Sequence, residues 1–223
     1  MRIPLLCAAL AAAAGVVSAQ NATSTRPPII DIHVHAMMGI PGAQPACANA
    51  PAFLASDPAK KEDRFGWRTV GCANPLLPAR TPASYENEVL AEMERLNVTA
   101  VVMGDEKTVN RWKTDAPERV IRGTSFRADA LSGDNKVAEL KRLREAFTKG
   151  GFAVMGEVGP QYAGMSPSDP ALDEYFALAE ELDIPVGIHM GTGGSGRANI
   201  TTPKFRGSMG NPLLLEDLLA RHP

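Results

Sequence analysis

Two histidines one residue apart, His33 and His35, close an apolar segment (29–35) that has strand character. Since side chains alternate across a β-strand, positions two apart project to the same side. The two imidazoles can therefore aim at one point where a buried strand ends. Imidazole nitrogen is a preferred ligand of zinc and related metals, and two convergent ligands supply half of a tetrahedral site. The alternative is a pair of ordinary polar residues, although the chain has only four histidines.

Two more residues of metal-ligand type follow later predicted strands. Glu157 comes after the strand predicted at 152–155, and His189 ends the strand predicted at 185–188. The neighbours of Glu157 include two glycines, Gly156 and Gly159, which leave room around a carboxylate. Taken singly, a histidine or glutamate at a strand end is more often just a hydrogen-bonded polar residue. Four residues of ligand type at strand ends together favour a metal site.

The elements that must position these residues alternate regularly along the chain. Apolar runs predict five strands, and apolar residues at helical spacing predict helices between them. Strands that are apolar on both faces and separated by helices imply a parallel sheet, either doubly wound or closed into a barrel. No Gly-rich phosphate loop follows the first strand, which disfavours a doubly wound nucleotide fold. In a parallel α/β barrel every strand ends at the same rim, so the four residues would converge there.

The predicted strands lie at 29–35, 98–103, 120–126, 152–155 and 185–188. The apolar helix faces are placed at Val89, Leu90, Met93 and Leu96; at Val137, Leu140, Leu143 and Phe147; at Leu172, Phe176, Ala179 and Leu182; and at Leu215, Leu218 and Leu219.

The first nineteen residues have the pattern of a secretory signal peptide. Arg2 gives a positive start, residues 3–17 are almost unbroken apolar, and Val17-Ser18-Ala19 is a small-residue cleavage pattern. An N-terminal anchor that is never cleaved is the alternative. We therefore expect residues 20–223 to form the mature domain, periplasmic or secreted, without stable membrane association.

Export predicts a disulfide between Cys47 and Cys72, because an oxidising compartment favours disulfide formation. Closing a loop of this length stabilises by about 3 kcal/mol. Unpaired thiols or metal-bound thiolates are the alternatives. Both cysteines lie in a long Pro-, Gly- and Ala-rich segment (36–82), which predicts either a lid or substrate wall or else a disordered insertion.

Composition sets limits on the partners. The chain has 223 residues, 44% of them apolar, and a formal net charge of −2. Such a chain can bury one sizeable core and has no basic stripe for nucleic acid, so a small-molecule substrate is expected. Lys204 and Arg206 lie in the segment after His189 and could contact an anionic group, although solvated surface charge is the alternative. The sequence leaves the oligomeric state open.

Three segments of the chain resemble the amidohydrolase superfamily of metal-dependent hydrolases, in particular its amidohydrolase-related branch. They are Asp31–His35, Gly156–Gly159 and the Pro-Val-Gly-Ile-His-Met-Gly stretch at 185–191, and the resemblance extends over the chain after residue 28. It implies a TIM-type (β/α)8 barrel, of which about five βα units are present here. Family members carry a histidine after the sixth strand and a proton-shuttling aspartate after the eighth, both expected beyond residue 223.

The chain therefore resembles the N-terminal part of a longer enzyme. A complete five-stranded protein and a half-barrel completed by a partner are the alternatives. As a five-strand piece, the chain is expected to leave its first and fifth strands as open apolar edges.

The resemblance also implies roles for the four candidate ligands. His33 and His35 match the pair that binds the first metal, Glu157 the position that often bridges two metals, and His189 a ligand of the second or of a single catalytic metal. The implied cofactor is a divalent metal, zinc by default, as one or two ions.

The implied reaction is hydrolysis of an amide, ester, lactone or phosphoester by water whose pKa the ion lowers to about 7. A non-oxidative decarboxylase of the same fold is one alternative. An inactive truncated remnant that still binds metal is the other.

Overall fold

The sheet that carries the site is entirely parallel. The protein is described from a computed structural model, which covers residues 26–36, 74–127, 130–192 and 203–223. Five strands pair in the order in which they occur in the sequence. They are β1 (Ile29–His35), β2 (Val98–Met103), β3 (Val120–Thr124), β4 (Val154–Val158) and β5 (Val186–Ile188).

The strand order separates the two folds that the sequence left open. A doubly wound sheet reverses its strand order at a switch point, whereas the strands of an α/β barrel follow one another around it. Here β1 pairs with β2, β2 with β3, β3 with β4 and β4 with β5. The predicted fold is confirmed as the five-strand part of a TIM-type barrel, a curled half-barrel.

Helices follow the strands, and two of them begin with a side-chain cap. They are α1 (Pro82–Leu96), α2 (Glu106–Asp115), α3 (Gly133–Thr148), α4 (Asp173–Glu181) and α5 (Glu216–Arg221), with 3₁₀ helices at Pro160–Ala163, Pro170–Leu172, Gly207–Gly210 and Pro212–Leu215. Thr81 starts α1 in a reciprocal capping box with Ser84, and the Asp105 carboxylate accepts from the N–H of Thr108 at the start of α2. Each cap pairs backbone N–H groups that a helix start would otherwise leave open.

The core lies between the sheet and these helices. Side chains of the central strands and of the helix faces are excluded from solvent, among them Val102, Val109, Trp112, Leu143 and Met155. At the edge of the sheet, Ile30 and Ile32 of β1 are 70% and 74% exposed. The expected apolar edge at the first strand is thus confirmed.

Three details of the sequence prediction are wrong. Val137 and Leu219 are exposed, not buried, and the buried side of α3 instead includes Glu139. Glu139 can be buried because Arg142 and the backbone N–H of Arg127 hydrogen-bond its carboxylate. β4 spans Val154–Val158, so Glu157 lies within the strand and not after it.

Several predictions fall outside the described residues. They concern the signal peptide (1–19), the pair Cys47 and Cys72, and most of the long segment that contains them. Among the helices that the structure describes, none is long and apolar enough to cross a membrane.

Candidate metal centre

The histidine pair sits at the carboxyl end of β1. The pairing of β1 with β2 shifts register between Asp31 and Val34, and the Asp31 carboxylate accepts a hydrogen bond from the N–H of His33 at 2.9 Å. Nε2 of His33 lies 2.8 Å from Nε2 of His35, with the rings edge to face. The hydroxyl of Tyr85 donates to the carbonyl of His35 at 3.3 Å. The two imidazoles therefore converge on one point, as the alternation along the strand predicts.

Glu157 reaches the same point from β4. Its Oε2 lies 3.2 Å from Nε2 of His33 and 3.4 Å from Nε2 of His35. The strand is closely packed here, since a Cβ at Gly156 would lie only 3.1 Å from Sδ of Met103. The glycine before Glu157 thus lets β4 pack tightly against its neighbours while the carboxylate, 20% exposed, turns toward β1.

His189 approaches the carboxylate from its other side. It follows β5 directly, and its backbone N–H donates to the carbonyl of Val158 at 2.8 Å. Its Nδ1 contacts Oε1 of Glu157, and its Nε2 lies 3.0 Å from the hydroxyl of Tyr162. The carboxylate of Glu157 therefore lies between the β1 pair on one oxygen and His189 on the other.

The structure thus brings all four predicted ligands together at one rim. Ligand atoms of His33, His35 and Glu157 lie within 4.8 Å of one another, and His189 joins this group through Glu157. Burial and the neighbouring His33 lower the pKa of His35, which keeps it in the neutral form that binds metal. Imidazole nitrogens with a carboxylate fit a divalent ion such as zinc.

The two cations predicted to contact substrate lie apart from these contacts. Lys204 and Arg206 are exposed, and the Arg206 guanidinium donates to the carbonyls of Pro203 and Phe205. Their backbone lies against the 3₁₀ helix that follows β4, because the N–H of Arg206 donates to the carbonyl of Gln161. Substrate contact by these two side chains stays a prediction.

Sequence reasoning missed Tyr162, which contacts His189. Tyr162 stands five residues after Glu157, and a 3₁₀ helix (Pro160–Ala163) turns it back toward β5. The available signal was its position: it belongs to the segment that directly follows a ligand-bearing strand end, on the rim where barrel sites form.

The structure is a segment of a parallel barrel, with imidazoles and a carboxylate at the rim where the strands end. This arrangement is typical of barrel enzymes whose sites can hold a metal ion. The family model described as amidohydrolase matches residues 30–223. The chain therefore belongs to the amidohydrolase family, as its sequence motifs predict. Members of this family typically bind divalent metals and act as enzymes.

Similarity to individual proteins is more distant. No curated protein is significantly similar to this chain. Among solved structures, 4-oxalomesaconate hydratase from Rhodopseudomonas palustris is 18% identical, with a TM-score of 0.42 over 72% of this chain and 52% of that one. The chain thus spans about half the length of that structure.

Proposed function

We propose that the protein is an exported metal-dependent hydrolase whose divalent ion, zinc by default, is held by His33, His35, Glu157 and His189. The observation that carries the proposal is the position of the Glu157 carboxylate. One of its oxygens faces the imidazoles of β1, and the other faces His189. Three imidazoles from two strand ends thus surround one carboxylate from a third.

The two-sided environment of Glu157 suits one or two ions. In a two-ion site Glu157 would be the shared carboxylate, and the paired ions would hold both the attacking and the leaving oxygen in hydrolysis. Here His33 and His35 face one oxygen of Glu157, and His189 faces the other.

The residues of this chain would bind and orient in such a reaction. When bound, the ion supplies acidified water and polarises the carbonyl or phosphoryl group of the substrate. Neutral His35 offers its nitrogen without first losing a proton, since its pKa is lowered. The hydrogen bond from the N–H of His33 to Asp31 fixes the backbone that leads into His33.

Export and the domain boundaries are part of the same proposal. The charge, apolar run and small residues of the first nineteen positions support cleavage after Ala19, leaving residues 20–223 as the barrel part of the mature protein. Export in turn supports the disulfide between Cys47 and Cys72. Amino-terminal sequencing of the exported protein should begin at Gln20, and peptide mapping without reduction should recover the linked cysteines.

The reaction can be tested with a panel of amides, esters, lactones and phosphoesters. We expect hydrolysis that a chelator abolishes and zinc restores, and that Glu157→Gln removes. The matched control is Glu139→Gln, a buried carboxylate on α3 that contacts arginine, which should keep the activity.

Two other results would replace the proposal. Release of carbon dioxide from aromatic acids without hydrolysis would indicate the decarboxylase. Stoichiometric metal binding without any turnover would indicate an inactive remnant.

A further inference from the structure

The hydroxyl of Tyr162 makes a specific contact with the ring of His189. The distance from the hydroxyl oxygen to Nε2 is 3.0 Å, and the ring centroids are 5.1 Å apart. Nδ1 on the other side of the same imidazole contacts Glu157. The two nitrogens of His189 therefore have different partners, and the ring connects the tyrosine with the carboxylate.

The ring of Tyr162 is itself held on two sides. On one side Phe205, which is only 3% exposed, packs against it with ring centroids 5.6 Å apart. On the other side lies the backbone of Gly159, where an added Cβ would be 2.7 Å from Cδ2 of Tyr162. The absence of a side chain at Gly159 thus makes space for the tyrosine. A hydroxyl held by a fixed ring can fix the orientation of its partner.

We propose that Tyr162 is the positioning residue of His189, an inference that rests on the proposed function. A tyrosine hydroxyl both donates and accepts, so it can pair with Nε2 in either tautomer of the imidazole. If Nδ1–H donates to the Glu157 carboxylate, Nε2 is the acceptor and the Tyr162 hydroxyl is the donor.

A histidine that binds metal usually donates its other ring N–H to a fixed acceptor, which orients the ring and fixes the tautomer. With Nδ1 facing Glu157, that other group is Nε2–H, and the Tyr162 oxygen is its acceptor. Nδ1 would then be available to hold the ion, and Tyr162 would fix the orientation of the ring.

The test compares Tyr162→Phe with Tyr175→Phe. The first variant keeps the ring and removes the hydroxyl from His189, whereas the second removes a buried hydroxyl that donates to the carbonyl of Ala130. One readout is zinc affinity measured with a competing chelator. The other is the ¹⁵N spectrum of the histidine side chains, in the metal-free and zinc-loaded protein, with His189 assigned from the spectrum of His189→Asn.

We expect Tyr162→Phe to weaken zinc binding by about 10- to 100-fold, the range found when an outer partner of a metal-bound histidine is removed. The Nε2 resonance of His189 should move in the metal-free protein as well. Tyr175→Phe should leave both readouts at the wild-type values. A merely structural role for Tyr162 would lower thermal stability without moving that resonance.

The inference would be overturned if zinc affinity stayed within about twofold of wild type and the His189 resonances were unchanged. That result would leave the proposed function standing as long as wild type binds zinc through His33. If wild type bound no zinc, the proposed function would fail. The metal-free ¹⁵N spectrum would then still decide whether the hydroxyl holds His189.

Discussion

Two carboxylates that are shielded from solvent, Glu139 and Glu157, have opposite surroundings. Glu139 on α3 is 5% exposed, accepts from Arg142 at 2.9 Å and accepts from the backbone N–H of Arg127 at 2.9 Å. Glu157 on β4 is surrounded differently: within the described ranges, each of its ion-pair partners is a histidine.

The difference lies in the charge of the neighbours. A guanidinium is always positive, so Arg142, which also contacts Glu106, remains a cationic partner of Glu139. An imidazole near neutral pH carries little charge, and in the case of His35 burial and His33 lower the pKa further. Glu157 therefore faces ring nitrogens that can bind a metal ion with it, whereas Glu139 faces a permanent cation. A carboxylate paired with arginine stabilises the fold, whereas a carboxylate surrounded by imidazoles is suited to binding a metal cation.

The largest expected effect comes from removing the β1 imidazoles. His33→Ala with His35→Ala should weaken zinc binding by more than about 100-fold, since outer partners alone account for about 10- to 100-fold. Isothermal titration measures the loss. His222→Ala is the matched control, because His222 pairs with Glu180 at 2.8 Å. Zinc binding that survives in the double variant would place the metal elsewhere.

The second-largest effect is expected on the stability of the fold when Glu139 is replaced. Glu139→Gln keeps the size of the side chain and should lower the free energy of unfolding by about 2 kcal/mol, because hydrogen bonds to a charged group are lost from a buried site. Urea denaturation measures the change. Glu145→Gln, an exposed position on the same helix, should stay within about 0.5 kcal/mol of wild type. Equal effects at the two positions would contradict the role assigned to Glu139.

The contribution of Glu139 should depend on pH. Burial opposes ionisation, but the hydrogen bonds from Arg142 and from the N–H of Arg127 outweigh it and lower the pKa of Glu139 below its ordinary value of 4.5. A lowered pKa in the folded state stabilises above the unfolded value, and this stabilisation is lost as the pH falls through the folded value. The difference between wild type and Glu139→Gln should therefore shrink below about pH 4.5.

A smaller effect is expected at Gly159. The Cβ of Gly159→Ala would meet the ring of Tyr162, and displacing that ring should loosen His189 and weaken zinc binding on the order of 10-fold. Combining it with Tyr162→Phe tests whether both act through one contact. The loss of zinc-binding free energy in the double variant should then be smaller than the sum of the losses in the two single variants. If the two losses of zinc affinity were fully additive in zinc titrations, Gly159 would not act through the contact between Tyr162 and His189.

The smallest effect is expected at the exposed cations. Lys204→Ala should leave zinc affinity and stability unchanged within about 0.5 kcal/mol, as at most surface positions. If Lys204 contacts substrate, as its sequence position predicts, the variant raises KM for anionic substrates but not for neutral ones. A change in zinc affinity would show that the segment after His189 belongs to the metal centre.

The sequence predicted the residues that strand periodicity controls. His33 and His35 share a face because they are two apart, and parallel strands bring Glu157 and His189 to the same rim. Residues placed by irregular turns escaped prediction. Tyr162 reaches His189 only because a 3₁₀ helix reverses the chain, and no periodic pattern records that turn.

The burial of Glu139 escaped prediction for a different reason. A charged residue in an amphipathic pattern is placed on the solvent side, and its arginine partner three residues on gives no sign of which way the pair faces. The apolar residue Val137 was placed inside by the same pattern and is exposed.

The most direct test is the metal content of two variants of equal size and charge change, Glu157→Gln and Glu139→Gln. Both are purified in zinc, dialysed and analysed by plasma mass spectrometry, with folding checked by circular dichroism. Bound zinc should fall to background in Glu157→Gln and stay at the wild-type level in Glu139→Gln. Wild-type zinc content in Glu157→Gln would contradict a metal centre built around this carboxylate.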